Sequence, residues 1–234
     1  MVQGLKERTR AIRTVRALVT IRPEGERAFT ARLEYSRNPA DGSPVINLTG
    51  FDPLGRPAFE MNTWRGSTRF MVSRNGSMTE VSPDHPDLGS LPLLPADIPR
   101  LVSAVVGPVI RPGEIAVLEE KGLFYIIHLI EPGEKTGRLS QRLWINRAGL
   151  DLVNVEIFGN GSHGASGMRR DQPVLITLSE LEERMGGDGV SVSWPGVIQI
   201  DPLNKETGRF PGLNLEFREV HLNEKLAAGQ TKRP

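Results

Sequence analysis

Cysteine is absent from the 234 residues. Its absence excludes disulfide frameworks, thiolate metal centres and cysteine nucleophiles. Long apolar runs are missing as well: nothing approaches the roughly 18 consecutive apolar residues that cross a membrane as a helix. The opening Met1-Val2-Gln3-Gly4-Leu5-Lys6 lacks the apolar stretch of a signal peptide. Nor is there an excess of one charge. Lys and Arg number 29 against 28 Asp and Glu, a net of +1, whereas a nucleic-acid footprint needs a basic surplus. Catalytic motifs are equally scarce. The four histidines, His85, His128, His163 and His221, form neither an H-x-x-x-H nor an H-E-x-x-H pattern. Asp84, His85 and Asp87 lie in a proline-rich stretch that reads as a solvated loop, so no metal site is expected. Gly159 to Gly167 matches neither phosphate-binding pattern and reads as a hairpin tip, because Asn160 stands where a nucleophile elbow needs glycine. His128, inside an apolar strand, reads as a satisfied core histidine. No cofactor, metal or enzymatic activity is expected.

Turn formers, by contrast, are abundant. The 25 glycines and 18 prolines suit many short strands rather than a helical bundle. Period-2 alternation follows. Over Arg27 to Arg37, Phe29, Ala31, Leu33 and Tyr35 share one face, which marks a sheet with one wet side. Further strands are expected at Ala17–Arg22, Val45–Gly50, Ala58–Trp64, Thr68–Ser73 and Met78–Val81, the last two joined by Asn75-Gly76. After residue 114 come Ile115–Glu120, Leu123–Glu131, Arg138–Asn146 and Leu150–Phe158. Ser166–Arg170 is read as extending that last hairpin. Pro173–Leu178, Val190–Trp194, Gly196–Ile200 and Leu213–Leu222 complete the set. Phe124 to Ile130 is apolar on both faces and reads as a central or sandwiched strand. The order is an antiparallel meander, with no βαβ alternation to suggest a parallel sheet.

Three segments read as helices. Leu5–Arg16 is basic and amphipathic, with Leu5, Ile12 and Val15 near one face. Pro95–Val106 carries a broad apolar stripe and is ended by Gly107-Pro108. Ser179–Met185 has a capping box, with Ser179 as cap and Glu182 three residues on. The chain is expected to be a single domain over 1–234, with a polar tail fraying from about residue 223.

Between the third and fourth expected strands lies Phe51-Asp52-Pro53-Leu54-Gly55-Arg56-Pro57. Asp52 starts a turn, Pro53 presets φ and Gly55 accepts φ > 0, which leaves Leu54 at the tip. The Pro53-Leu54-Gly55 turn between apolar strands resembles the outer-membrane lipoprotein receptor LolB, with Asp52 where that family has asparagine. Leu91-Pro92-Leu93-Leu94 followed by the Ile98–Val106 helix is similar to that family's proline-containing loop and helix. The element order along nearly the whole chain resembles the LolA/LolB lipoprotein carrier superfamily, though this chain is long for LolB and its middle loops are expanded.

The resemblance implies an α+β, mainly β fold: an incomplete, strongly curved antiparallel half-barrel. The N-terminal helix (about 3–16) and the lid loop and helix (about 82–107) would cover an apolar cavity. It implies a periplasmic lipid- or lipoprotein-binding protein, anchored to the outer membrane by an N-terminal lipid, that takes acyl chains from a carrier protein and passes them to the membrane. Pro53, Leu54 and Gly55 would be the membrane-insertion turn. The expected cavity wall is Phe29, Leu33, Ile46, Leu48, Phe59, Met61, Phe70, Val72, Leu143 and Ile145. Ile98, Leu101 and Val105 would face it from the lid. Each CH₂ buried in such a cavity gains roughly 0.8 kcal/mol, so a long chain is held without polar chemistry. The alternatives are a non-catalytic envelope scaffold, whose groove binds a protein strand or nothing, and a hydrolase with its polar groups gathered in a cleft.

Overall fold

Strand-forming alternation decides the architecture. A computed structural model describes residues 11–38, 43–64, 67–74, 76–81, 106, 113–133, 136–158, 173–203 and 212–224. The first six strands are β1 (Thr14–Pro23), β2 (Phe29–Arg37), β3 (Pro44–Phe51), β4 (Pro57–Trp64), β5 (Ser67–Arg74) and β6 (Ser77–Val81). Seven follow: β7 (Ile115–Lys121), β8 (Phe124–Glu131), β9 (Arg138–Asn146), β10 (Leu152–Ile157), β11 (Val174–Met185), β12 (Ser191–Pro202) and β13 (Leu213–Leu222). Within each run every strand pairs antiparallel with its sequence neighbour, and the two runs join where β1 pairs with β13, from Val15↔Leu222 to Pro23↔Leu213. The result is one 13-stranded sheet with β6 and β7 at its two edges, not closed into a barrel.

One face of this sheet carries the core. Cross-strand partners run in rows, such as Phe70–Met61–Leu48–Leu33–Ala17–Val220 and Ile127–Leu143–Val155–Ile176–Ile200–Leu213. All but the partly buried Val220 are buried, and all belong to one apolar cluster. The opposite face is polar over much of its extent, as period 2 with one wet side requires. β8 departs from this. Ile126 is buried on the outer face, where it pairs with Trp144, while Ile127 is buried on the inner one.

Three segments differ from the sequence reading. Thr14, Val15 and Arg16, expected as the last turn of a helix, begin β1. Two of the three are β-branched, and Val15 is buried between Leu222 and Tyr35. Ser179–Met185, expected as a capped helix, continues β11. There the ladder to β12 runs on to Met185↔Ser191, so pairing overrides a weak local helix preference. The two strands expected on either side of Pro195 are one strand, β12, because Pro195 sits opposite Leu181 without interrupting the ladder. β8 is not central but next to the edge strand β7. Most of the N-terminal helix, nearly all of the lid loop and helix, and Ser166–Arg170 lie outside the described residues. Ala11 is helical at the entry to β1, and Val106 is helical and buried.

The long β11–β12 hairpin has a kink. Glu180 takes φ 54° opposite Gly196, where a Cβ would meet the Glu180 side chain at 3.1 Å. Beyond that point β12 no longer pairs with β13. The gap is filled by Trp194, 1% exposed, packed edge-on against Phe217 at 5.5 Å. The hairpin tip returns to the sheet through Gly187 N–H, which donates to Leu222 O at 2.8 Å.

Candidate functional site

The inner wall is built from β2 to β5 and β9. Leu33, Ile46, Leu48, Phe59, Met61, Phe70, Leu143 and Ile145 are all buried on the core face, and Phe29 and Val72 are partly buried against the same cluster. The ten described residues of the expected wall therefore share one face. Ile98, Leu101 and Val105 lie outside the described residues. At one end of the wall, Phe59 stands between Phe29, edge-on at 5.8 Å, and Phe70, stacked at 5.8 Å. Gly50 makes room for this ring. A Cβ there would lie 2.5 Å from Phe59 Cζ and closer still to Cε1.

Sequence reasoning missed that the same face continues across the other half of the sheet. Ile176, Ile198, Ile200 and Trp194 belong to it, reached through Ile21 of β1. The even-numbered positions of β12 carried that signal, but it was lost when the strand was split at Pro195. Trp194 Nε1–H is buried with no hydrogen-bond partner, and so is Gln141 Oε1. Gln141 stands on the inner face, paired with Leu129 and Ile157.

The Leu54 turn is braced from within. Leu54 N–H and Arg56 N–H each donate to Asp52 Oδ1 at 2.9 Å, and Arg56 donates to Oδ2 through Nε at 2.8 Å and Nη2 at 2.7 Å. Gly55 N–H closes the turn on Asp52 O at 2.9 Å, with Gly55 at φ 77°. The Arg56 backbone N–H, then its guanidinium and the Leu54 N–H, hold the Asp52 carboxyl below the usual carboxylate range despite an opposing desolvation effect. Leu54 is left 76% exposed. An aspartate at position 52 thus does what an asparagine cannot: it adds an ion pair to the two backbone bonds.

A polar network lies on the outer face of β7 to β10. Glu156, buried, accepts from Arg142 Nη1 and Trp144 Nε1, both at 2.7 Å. His128 Nε2 lies 2.8 Å from Glu119 Oε2, and Arg142 Nε lies 3.4 Å from His128 Nδ1. His128 is thus satisfied, as expected, but on the outer face rather than in the core. Arg142 and Trp144 satisfy the buried carboxylate of Glu156, which is how a structural ion-pair network is built. His221 pairs with Glu224 at 2.8 Å. His85, His163, Asp84, Asp87 and the glycine cluster at 159–167 lie outside the described residues. Among the described residues no three His, Asp or Glu side chains converge as metal ligands.

No family model matches the sequence, and no curated protein matches it. Solved structures do. A Vibrio parahaemolyticus domain described as an outer membrane lipoprotein-sorting protein is similar with a TM-score of 0.61 at 11% identity, over 97% of this chain and 92% of that one. A LolA superfamily protein from Nitrosomonas europaea is similar with a TM-score of 0.51 at 12% identity, over 95% and 93%. A DUF1329 family protein from Desulfovibrio piger gives 0.58 at 10% identity, over 96% and 91%. Along nearly its whole length, this chain has the fold seen in the LolA superfamily and in lipoprotein-sorting domains.

Proposed function

We propose that the protein binds acyl chains of lipids or lipoproteins against the inner face of its sheet, in the envelope, and passes them toward the outer membrane. The observation that carries this reading is the extent of that face: apolar rows cross both halves of an open sheet, from Phe70 to Val220 and from Ile127 to Leu213. The fold shared with lipoprotein-sorting domains supports it. Right-handed twist accumulates over thirteen strands, and open sheets this wide tend to curl. Curling toward the apolar side would make the half-barrel. The 82–107 segment would be its lid, with Ile98, Leu101 and Val105 as the lid's share of the wall. At roughly 0.8 kcal/mol per CH₂, a chain of a dozen buried carbons gains roughly 10 kcal/mol, which is set against the cost of association. The unpartnered Trp194 N–H is a donor available to an ester carbonyl. No catalytic step is assigned.

Leu54 is the contact with the acyl donor. Its turn is rigid, so the side chain is presented at low entropic cost. An N-terminal lipid anchor would hold the protein at the membrane it serves.

The test is native mass spectrometry of protein purified from membranes, with displacement of a fluorescent fatty-acyl probe in parallel. A co-purified acyl ligand and saturable probe binding are expected. Leu54→Glu should leave probe binding intact and slow lipid transfer between vesicles. Absence of both ligand and probe binding in a folded protein would end the proposal.

A further inference from the structure

The two edges of the sheet are unlike. β6 is short, with Ser77, Thr79 and Glu80 exposed and its apolar Val81 buried. β7 opens with four apolar residues, and all of its residues are exposed, Ile115 at 54%, Val117 at 46% and Leu118 at 52%. The change across one strand is abrupt, since Ala116 and Leu118 pair with Leu129 and Ile127, which are 0% and 1% exposed. Natural sheets protect such an edge with a proline, a bulge or a charge turned inward. Ile115 to Leu118 carries none of these, and β7 pairs with β8 without a shift of register.

The hairpin decides which backbone groups face outward. Lys121 pairs with Phe124 across the two-residue loop Gly122-Leu123. Residues that flank a loop of this length exchange both backbone bonds. Alternation then gives Ile115, Val117 and Glu119 their bonds to β8, and turns the N–H and C=O of Ala116, Leu118 and Glu120 away from it. Among the described residues no strand lies on that side. A row of outward backbone donors and acceptors is completed by one kind of partner, another extended segment.

Charge narrows the choice of segment. Glu114 precedes the apolar run and Glu119 and Glu120 follow it, against Lys121 alone. These acids disfavour a second copy of the chain. Only the even-numbered residues of β7 face outward, so two copies about a two-fold axis must set even opposite even. Centred on Val117, that pairing puts Glu114 against Glu120 and Ile115 against Glu119. Centred on Ala116, it puts Leu118 against Glu114; centred on Leu118, it puts Val117 against Glu119. Like charges directly opposite each other destabilise a sheet, and an apolar residue opposite a carboxylate loses its packing partner.

We propose that β7 takes up an extended segment of another protein, apolar in its middle and basic at both flanks, as an added strand of the sheet. The apolar side chains of that segment continue the inner-face row from Leu118 through Ile127 to Leu143. The inference goes beyond acyl binding and does not need it.

The experiment is fluorescence anisotropy of the full chain with a labelled peptide, Lys-Lys-Val-Thr-Val-Thr-Val-Lys-Lys, which reads the same in either direction. Saturable binding is expected, with the amides of Ala116, Leu118 and Glu120 slowed in hydrogen exchange and those of Val117 and Glu119 little changed. A peptide with glutamate for every lysine should bind about tenfold more weakly, a difference that fades in about 0.5 M salt. Glu119→Gln/Glu120→Gln should remove most of that preference. Ala116→Pro deletes an outward N–H and spares the ladder to β8, a position where edge strands accept proline. It should weaken the peptide about tenfold while keeping the urea midpoint and acyl-probe binding. Leu118→Lys, which keeps the backbone and adds the kind of charge that protects an edge, should do the same. Failure of the basic-flanked peptide to bind, equal binding of the two peptides at low salt, or wild-type binding by both edge variants would overturn the proposal. So would sedimentation velocity showing a dimer that Ala116→Pro abolishes, because β7 would then serve a second copy. Acyl-probe binding is read separately, so either proposal can fail without the other.

Discussion

Gly50→Ala tests the packing of the inner wall with a single methyl group. The added Cβ would lie 2.5 Å from Phe59 Cζ and 2.7 Å from Cδ1, well inside van der Waals contact. Gly50 and Phe59 are cross-strand partners, so backbone pairing fixes their separation and the ring must swing. Swinging disturbs the edge-on contact with Phe29 and the stacked one with Phe70. Each aromatic contact is worth about 0.5–1.5 kcal/mol, and overpacking a filled site costs about 1–3 kcal/mol. The terms overlap, because the ring that moves to relieve the clash is the one that loses its partners. A loss of about 2–4 kcal/mol is expected, read as a lower urea midpoint at unchanged m-value. Phe59→Leu in the Gly50→Ala background should recover part of it. A double-mutant cycle then returns a coupling energy of at least about 1 kcal/mol. If Gly50→Ala unfolds within about 0.5 kcal/mol of wild type, or the two substitutions simply add, the ring does not rest on Gly50 and this description of the wall is wrong.

Asn223→Ala removes side-chain bonds to Ala11 O, Arg13 N, Thr14 N and Asp188. At a net 0.5–1.5 kcal/mol each, with one of them long, a loss of about 2–4 kcal/mol is expected. Asn223→Gly relieves the φ of 55° but not the lost bonds, so it should remain clearly destabilised; hydrogen exchange of Thr14 and Gly187 amides reads both. Leu150→Gly should raise stability by about 0.5–1 kcal/mol through relief of its positive φ, seen as a higher melting temperature. Asp52 is held below the usual carboxylate range, so its bracing of the turn is present above the ordinary pKa and lost as pH falls through the lowered one. The Leu54 amide resonance should therefore titrate at a pH below that of a free aspartate, and Arg56→Gln should move the midpoint upward.

Much of the fold was legible because period 2 is a strong local signal. Phe29, Ala31, Leu33 and Tyr35 alternate without interruption, and the structure places all four on the core side. The strand ends were legible where glycine sits at positive φ, as at Gly25, Gly55, Gly76 and Gly189. What failed was local in a different sense. Ser179 to Arg184 satisfies a capping-box pattern, yet its partners in the ladder run from Val197, opposite Ser179, to Val192, opposite Arg184, all beyond the turn that the pattern reads. The ladder from Leu181↔Pro195 to Met185↔Ser191 outweighs a helix preference that is weak per residue. The β1–β13 seam was invisible for the same reason. Nothing within a window around Val15 announces Leu222, and pairing across two hundred residues follows only from the whole sheet.

The site was legible in its chemistry and not in its extent. Alternation separates inward from outward residues, which is why the ten described wall positions fall on one face. It is silent on how far that face runs, because extent depends on the seam. Once β1 pairs with β13, the rows of the first six strands continue into the second seven, and a wall expected from β2–β5 and β9 becomes a surface spanning most of the sheet. The seam also sets polarity. With the strand directions fixed at β1, the Leu54 turn falls at one end of the sheet, and the start of β1 and the finish of β13 fall at the other. The order of the chain and the antiparallel rule thus set Leu54 a full strand length from the seam's Val15↔Leu222 pair, a separation that no window around either residue contains.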